Sequence, residues 1–407
     1  MLWLRALYLC NGLAVGMLYA FVPVLLQSKG FDPALIGLTT SLGSVGYTVA
    51  LPIWGHIGDV VSGPRRALQL ACVPAAVFVL GLSAPLPAAA IVGCQILFNA
   101  GGGPAPALTD AMAVPALKNA SHEYSRLRLL TSVGAGGGAA MGGLIYLRTG
   151  YLLAPVTYAL TMVALIVAAQ LVPLGRLGER QRARGGRDRP RYQGPRRASL
   201  GSVGEALSGR RRLQAVLCSV LFLFLGVMAA ATYLTLRISD LGGGPVEVGL
   251  AFGLASLAEV PGLLLAGWLV SRVGLRAILL ASCLGFAACV ASWSVLEGAV
   301  PILTTRFLSG ICFGGIVVSF VLTVAQLLPA RLQSTGQTLF QATGFGLAAV
   351  LANLAGGILY SSVGPVGVFG GGALCAVIGG AIGFLAVPAA RQAEVPSVVV
   401  EPATLAH

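Results

Sequence analysis

Four ionisable side chains, Asp110, Arg128, Glu259 and Arg306, stand within or against long runs that are otherwise uncharged. If those runs cross a membrane, each ion costs roughly 2.5–3.5 kcal/mol to insert, so each is a candidate for binding a solute, carrying a proton or pairing with another ion. Asp110 and Arg128 are eighteen residues apart, each nine from a midpoint at Asn119. Nine residues make about 13.5 Å of helix. The two are thus placed to share one depth and face each other, as a substrate-binding pair or as a structural ion pair. Glu259 lies in Ala258-Glu259-Val260-Pro261. A carboxyl group in a low-dielectric site holds a proton more readily than in water, and the proline frees a backbone carbonyl nearby. Glu259 reads as a proton carrier, a substrate ligand or a buried hydrogen-bonded acid. Arg306 either joins the site or extends its head to the membrane surface.

The elements that must hold these residues follow from composition. Of 407 residues, 57% are hydrophobic and 10% charged, against about 25% charged in an average soluble domain. Such a chain cannot cover its own surface with polar groups, which excludes a soluble enzyme. A helix needs about 20 apolar residues to cross a bilayer. Uncharged runs of that order are 6–28, 33–58, 129–147, 149–175, 213–236, 277–296 and 307–330, with 248–270 interrupted by Glu259 alone. Two double-length runs, 67–109 and 332–390, are cut by turn signals at Pro85 and Pro87 and at Ser361-Ser362-Val363-Gly364-Pro365. The expectation is an all-α integral membrane protein of twelve transmembrane helices. The runs are too long and too rich in Leu, Ala and Gly for barrel strands.

The net charge of +13 is explained by topology. With the first residue inside, twenty-one Lys and Arg fall on the cytoplasmic side and three, Lys29, Arg148 and Arg237, on the other. Both termini are therefore expected in the cytoplasm and the chain in the plasma (inner) membrane. Met1-Leu2-Trp3-Leu4-Arg5 leads straight into the first run, so no cleavable signal peptide is expected. Twelve of the arginines crowd residues 173–212. This stretch divides an N-terminal six-helix bundle, 1–172, from a C-terminal one, 213–390, followed by a tail, 391–407. It reads as a solvated linker, or as a strip lying along anionic lipid headgroups. With Tyr192 as its one aromatic, it is not expected to bind nucleic acid. The eight cysteines sit in or at the ends of spans without C-x-x-C spacing and read as reduced packing residues.

The halves repeat. Gly142-Gly143-Leu144-Ile145-Tyr146 with Gly150 returns as Gly356-Gly357-Ile358-Leu359-Tyr360 with Gly364, and Gly55, Asp59, Gly63, Arg65 return as Gly267, Ser271, Gly274, Arg276. Two parallel repeats related by an axis along the membrane normal suit a transporter with a site between the halves.

These features together resemble the major facilitator superfamily. Its motif after the second span, G-x-x-x-D-R-x-G-R-R/K, is approximated by Gly55…Asp59…Gly63-Pro64-Arg65-Arg66, with one extra residue and no Arg after the Asp. The second copy, Gly267…Ser271-Arg272-Val273-Gly274-Leu275-Arg276, keeps the Arg and has Ser for Asp. The resemblance implies gating roles for Asp59, Arg65, Arg66 and Arg272, with a plain helix cap as the other reading of Asp59. Phe98-Asn99-Ala100-Gly101 before Asp110, with Glu123 to Arg128 before Thr131-Ser132-Val133-Gly134, resembles the lactose permease branch of sugar and nucleoside proton symporters. That resemblance implies substrate binding by Asp110 and Arg128, extended here to Asn99, and proton coupling by Glu259 or Asp110. The tenth span departs from lactose permease, since it lacks a His and a Glu and carries Arg306, Ser309 and Cys312.

The expected function is alternating-access, proton-coupled symport of a small polar solute: a sugar, nucleoside or organic acid. The alternative is proton-antiport export of a drug or secondary metabolite, suggested by Gly134-x-x-x-Gly138-Ala139-x-x-Gly142-Gly143, which small-residue helix packing also explains. The chain is expected to act as a monomer in the lipid bilayer, without cofactor or metal, driven by the proton gradient. Lys29 and Lys118 are the only lysines and neither follows a glycine, which rules out a Walker-type ATP pump. Three histidines without H-E-x-x-H offer no zincin site.

Overall fold

The computed structural model describes residues 2–113, 120–172, 207–208, 210–329 and 332–387. Those residues form twelve helical spans: α1 (Leu2–Ser28), α2 (Pro33–Val61), α3 (Gly63–Leu80), α4 (Ala88–Gly102 and Ala105–Ala113), α5 (Ala120–Thr149) and α6 (Ala154–Leu171). The second half supplies α7 (Arg211–Asp240), α8 (Pro245–Val273), α9 (Leu275–Ser292), α10 (Ala299–Leu327), α11 (Thr335–Val363) and α12 (Pro365–Ala386). Ten are long and apolar enough to cross a membrane as single helices. The other two are α3, which opens on Arg65 and Arg66, and α4, which turns at Gly103-Pro104. Pro104 has no amide hydrogen to continue the ladder, and the ladder resumes with Leu108 N donating to Pro104 O at 3.1 Å. Most of residues 173–212, including nine of the linker arginines, and the tail lie outside the described residues.

Local chemistry sets the helix ends. The Asp32 side chain accepts the Leu35 amide at 2.8 Å ahead of Pro33, and the Glu247 carboxylate accepts the Gly244 amide at 2.9 Å around Pro245. These satisfy amides that a helix start leaves without partners. The repeat glycines Gly150 and Gly364 terminate α5 and α11 at φ of 76° and 77°, a conformation that favours glycine.

The repeat read in the sequence is a repeat of contacts. Tyr146 on α5 donates to Met17 O on α1, and its counterpart Tyr360 on α11 donates to the Asp240 carboxylate on α7. Arg65 at the start of α3 donates to Val172 O after α6, and Arg276 at the start of α9 donates to Val387 O after α12. The fold is accordingly two pseudo-symmetric six-helix bundles.

The halves meet along two seams. A Cβ at Gly249 (α8) would stand 2.3 Å from Ala139 O (α5), and one at Gly37 (α2) would stand 2.4 Å from Asn353 O (α11). A Cβ at Gly143 would lie 2.7 Å from Pro245 O, and one at Gly357 would lie 2.7 Å from Pro33 O. These pairs are repeat equivalents, so α5/α8 and α2/α11 are one contact made twice. In lipid there is little hydrophobic drive between helices, and glycines allow the backbone approach that dispersion needs. Ser41 Oγ adds a hydrogen bond to Val350 O at 2.9 Å across the second seam.

Both seams lie toward the end where α5 finishes and α8 begins. At the other end a Cβ at Gly55 would meet nothing within 4 Å, and Val60 and Val61 are 61% and 70% exposed. The halves are joined by close glycine contacts at one end, the sealed end, and the opposite, parted end makes none of those contacts. Gly249→Ala is expected to loosen the seal. In a chain without its eight cysteines, maleimide labelling of Ser41→Cys should rise roughly tenfold, the factor equivalent to about 1.4 kcal/mol. Unchanged labelling would contradict the packing account.

Candidate substrate and proton site

At mid-depth of the bundle, Arg128 on α5 is exposed toward the space between the halves. It lies within electrostatic range of Glu259 on α8 and of Tyr47 on α2. Glu259 is fourteen residues from the start of α8, about 21 Å along the helix, and is half-buried beside Pro261. A cation from one half and a carboxyl group from the other thus address the same space.

Asp110 sits on α4 at about the level of Arg128: Asn11 of α1 donates to the neighbouring Thr109 at 2.7 Å, and Gly12, one residue on, packs against Thr131 of α5. Asp110 accepts a hydrogen bond from Tyr8 on α1 at 2.5 Å. A tyrosine hydroxyl on a carboxylate is a strong, charge-assisted bond that fixes the oxygen it binds. The residues joining Asp110 to α5, 114–119, lie outside the described residues. Asn99, one of the polar residues expected to line the site, accepts from Tyr19 at 3.4 Å and donates to Gln95 O at 2.9 Å. The site residues therefore form one level carrying Arg128, Glu259 and Asp110 and a second, closer to the seal, carrying Asn99.

Arg306 belongs to neither. Its guanidinium lies 5.6 Å from the Trp293 ring centroid and 3.4 Å from Ser309 Oγ, within the α9–α10 packing. The gating residues at the parted end stand separately. Asp59 is exposed in a π-helical turn, Ile57–Val61. Arg65 bonds Val172 O, Arg66 is exposed, and Arg272 stacks 3.7 Å from the Trp268 ring centroid. Among the described residues no cluster of three or more His, Cys, Asp or Glu is placed to hold a metal.

The family is decided by a match over most of the chain: the MFS_1 like family covers residues 1–370. The chain belongs to that family. This MFS_1-like protein is 28% identical to the maltose permease of Geobacillus stearothermophilus over 374 residues, 90% of this chain and 89% of the permease. It is 21% identical to an uncharacterised transporter of Bacillus subtilis (strain 168), over 90% and 88% of the two chains. In fold it is similar to the crystal structure of the nucleoside transporter NupG, at a TM-score of 0.77 and 14% identity over 95% of this chain and 97% of that one. A D-xylose-proton symporter aligns with a TM-score of 0.70 and 13% identity over the same shares. The MFS_1-like chain is an integral membrane transporter of the major facilitator superfamily, and not an enzyme.

One group of residues escaped the sequence reading. Asp240, the last residue of α7, takes the Gln27 amide of α1 on Oδ1 at 3.0 Å and the Tyr360 hydroxyl of α11 on Oδ2 at 2.5 Å. Through Gln27 it ties the halves together at the sealed end, and through Tyr360 it holds α11 to α7 within the second half. A lone carboxylate at a helix end reads as surface, and its partners are 213 and 120 residues away. The only signal was Tyr360 in the repeat. Tyr360→Phe removes a bond to a charged group, worth about 1.5–3 kcal/mol. Hydrogen exchange of the amides at 357–363 should then quicken by roughly tenfold or more. Exchange unaltered at those amides would mean that the Tyr360–Asp240 bond contributes nothing to the packing of α11 on α7.

Proposed function

We propose that this MFS_1-like transporter imports a small polyhydroxylated solute, a sugar or nucleoside, together with a proton. The observation that carries the reading is the placement of Arg128 and Glu259 at one level of the α5/α8 contact, set by Gly136 against Leu257 and Gly249 against Ala139, where the charge of Arg128 acts on Glu259. Support comes from the maltose permease relative and from the fold shared with a nucleoside transporter and a D-xylose-proton symporter.

The reading assigns each group a task. By the distribution of basic residues, the sealed end is the outside and the parted end the cytoplasm. Both termini then lie in the cytoplasm of a plasma-membrane protein, with the linker arginines along anionic headgroups. Asp110, oriented by Tyr8, and Arg128 bind substrate hydroxyls. Glu259 carries the proton. Where Arg128 stands opposite it, the two charges neutralise each other. Where the halves move apart, a lone carboxylate in low dielectric is costly and is relieved by taking a proton. The cycle couples this exchange to the rocking of the halves, with Asp59, Arg65, Arg66 and Arg272 at the cytoplasmic gate.

The glycine repeat that suggested export has a packing role. A Cβ at Gly134 would lie 2.5 Å from Leu9 O, at Gly138 2.8 Å from Leu13 O, and at Gly142 3.0 Å from the Phe21 ring. All three face α1, so the motif favours neither direction of transport.

The test is uptake of maltose, D-xylose and uridine into proteoliposomes under an inward proton gradient. One of the three should accumulate. Asp110→Asn and Arg128→Ala should lower uptake by roughly tenfold to a hundredfold, the scale of losing a hydrogen bond to a charged group at about 1.5–3 kcal/mol, with protein still in the membrane. Glu259→Gln should abolish gradient-driven accumulation and retain substrate exchange. Normal uptake in the Asp110 or Arg128 variant, or accumulation only under an outward gradient, would refute the reading.

A further inference from the structure

Inside a bundle in lipid, a buried polar atom without a partner is costly and rare. Four side-chain atoms of this kind occur among the described residues: Arg65 Nε, Arg237 Nε, Thr131 Oγ1 and Gln95 Oε1. The two guanidinium groups each bond a backbone carbonyl through another nitrogen, at Val172 and Leu296, near helix ends. Gln95 differs. It sits inside α4, seven residues from its start, with only 4% of its surface exposed.

The surroundings of Gln95 are built for polar contact. One turn on, Asn99 Nδ2 donates to the Gln95 backbone carbonyl at 2.9 Å, which aligns the two amides along one helix face. Across from them α2 carries Gly43. A Cβ there would come within 2.9 Å of Asn99 Nδ2, 3.1 Å of Gln95 Cγ and 3.3 Å of Gln95 Nε2. The glycine thus makes room for both amides between α2 and α4. Tyr19 of α1 closes the cluster with its bond to Asn99, and is itself within electrostatic range of Tyr47. Tyr47 in turn neighbours Arg128. A polar strip therefore runs from Arg128 through Tyr47, Tyr19 and Asn99 and ends at an acceptor with nothing to accept.

We infer that Gln95 is a specificity residue of the substrate site: its Oε1 accepts a hydrogen bond from one hydroxyl of the solute, at the end of the site nearest the outer seal. This rests on the reading of the protein as a carrier of polyhydroxylated solutes and adds a residue to it. The strip sets the chemistry, since its free position accepts a hydrogen and has no charge to offer, which fits a neutral hydroxyl. A site built to bond a hydroxyl discriminates strongly against an analogue lacking it, because the protein group is then left unpaired.

The experiment measures competition for uptake in proteoliposomes by monodeoxy analogues of whichever of maltose, D-xylose or uridine is carried. The wild type should bind one deoxy analogue at least roughly tenfold more weakly than its parent. Gln95→Leu should weaken the parent by a similar factor and erase that one preference, leaving discrimination at the other hydroxyls in place. Gln95→Glu, which keeps an acceptor, should restore it. Should Gln95→Leu not reach the membrane, Gly43→Ala, which crowds both amides, should erase the same preference. Wild-type discrimination at every hydroxyl in Gln95→Leu or Gly43→Ala would overturn the inference, as would a uniform loss across all analogues, the mark of a packing role. A wild type that carries none of the three probes would instead refute the underlying transport reading, and this inference with it.

Discussion

The structure depends on one constraint: inside a bilayer, a charge or amide must be met by protein or by solute, since water is not there to meet it. Arg128 is the clearest case. It lies on a helix of the first half, and its charge acts on Tyr47 of its own half and on Glu259 of the other. One partner of its charge is therefore supplied by the second half. Any movement that parts the halves at this depth must supply another partner for each ion, a substrate for Arg128 and a proton for Glu259. Coupling between solute and proton follows from that need.

What allows the movement is that glycines bring backbone against backbone at both seams between the halves. The α5/α8 and α2/α11 seams exchange places under the internal repeat, with Gly143 against Pro245 matched by Gly357 against Pro33. Contacts of backbone on backbone carry no interlocking side chains, so they can part and re-form without rotamer changes. Directional bonds are then needed to define the closed state. Asp240 supplies one of them, through Gln27, and Ser41 a second. The balance between adaptable seams and a few polar clamps is what a gate requires.

Much of this was legible in the sequence, for identifiable reasons. Twelve spans followed from run length, because crossing a bilayer imposes a length that few other constraints mimic. The repeat followed from glycines whose spacing records backbone contacts and positive φ. The depth of Glu259 followed from counting. The partner of a side chain did not follow, since facing depends on helix rotation. Polar residues inside apolar runs, such as Tyr233 and Asn353, could by position face either a cavity or a neighbouring helix; Tyr233 is fully buried, donating to Asn353 O at 2.5 Å and stacking on Tyr360 within the α7–α11 contact. Tyr8 and Asn11, equally ambiguous by position, meet Asp110 and Thr109. Nor could a run of apolar residues disclose the turn at Gly103-Pro104 or the π-helical turn Ile57–Val61, which are set by single backbone positions. Arg65 carried a motif that implied a gate, and its geometry also makes it a cap on the end of α6.

The central claim is that the movement of solute and of a proton are one event, mediated by Glu259 opposite Arg128. It is tested most directly by trapping a pH-sensitive dye inside proteoliposomes and adding the transported solute outside, with no gradient imposed. The account predicts that the interior acidifies as solute enters, and that Glu259→Gln exchanges solute without moving protons. Solute entry with no change in internal pH, or with alkalinisation of the interior, would contradict it.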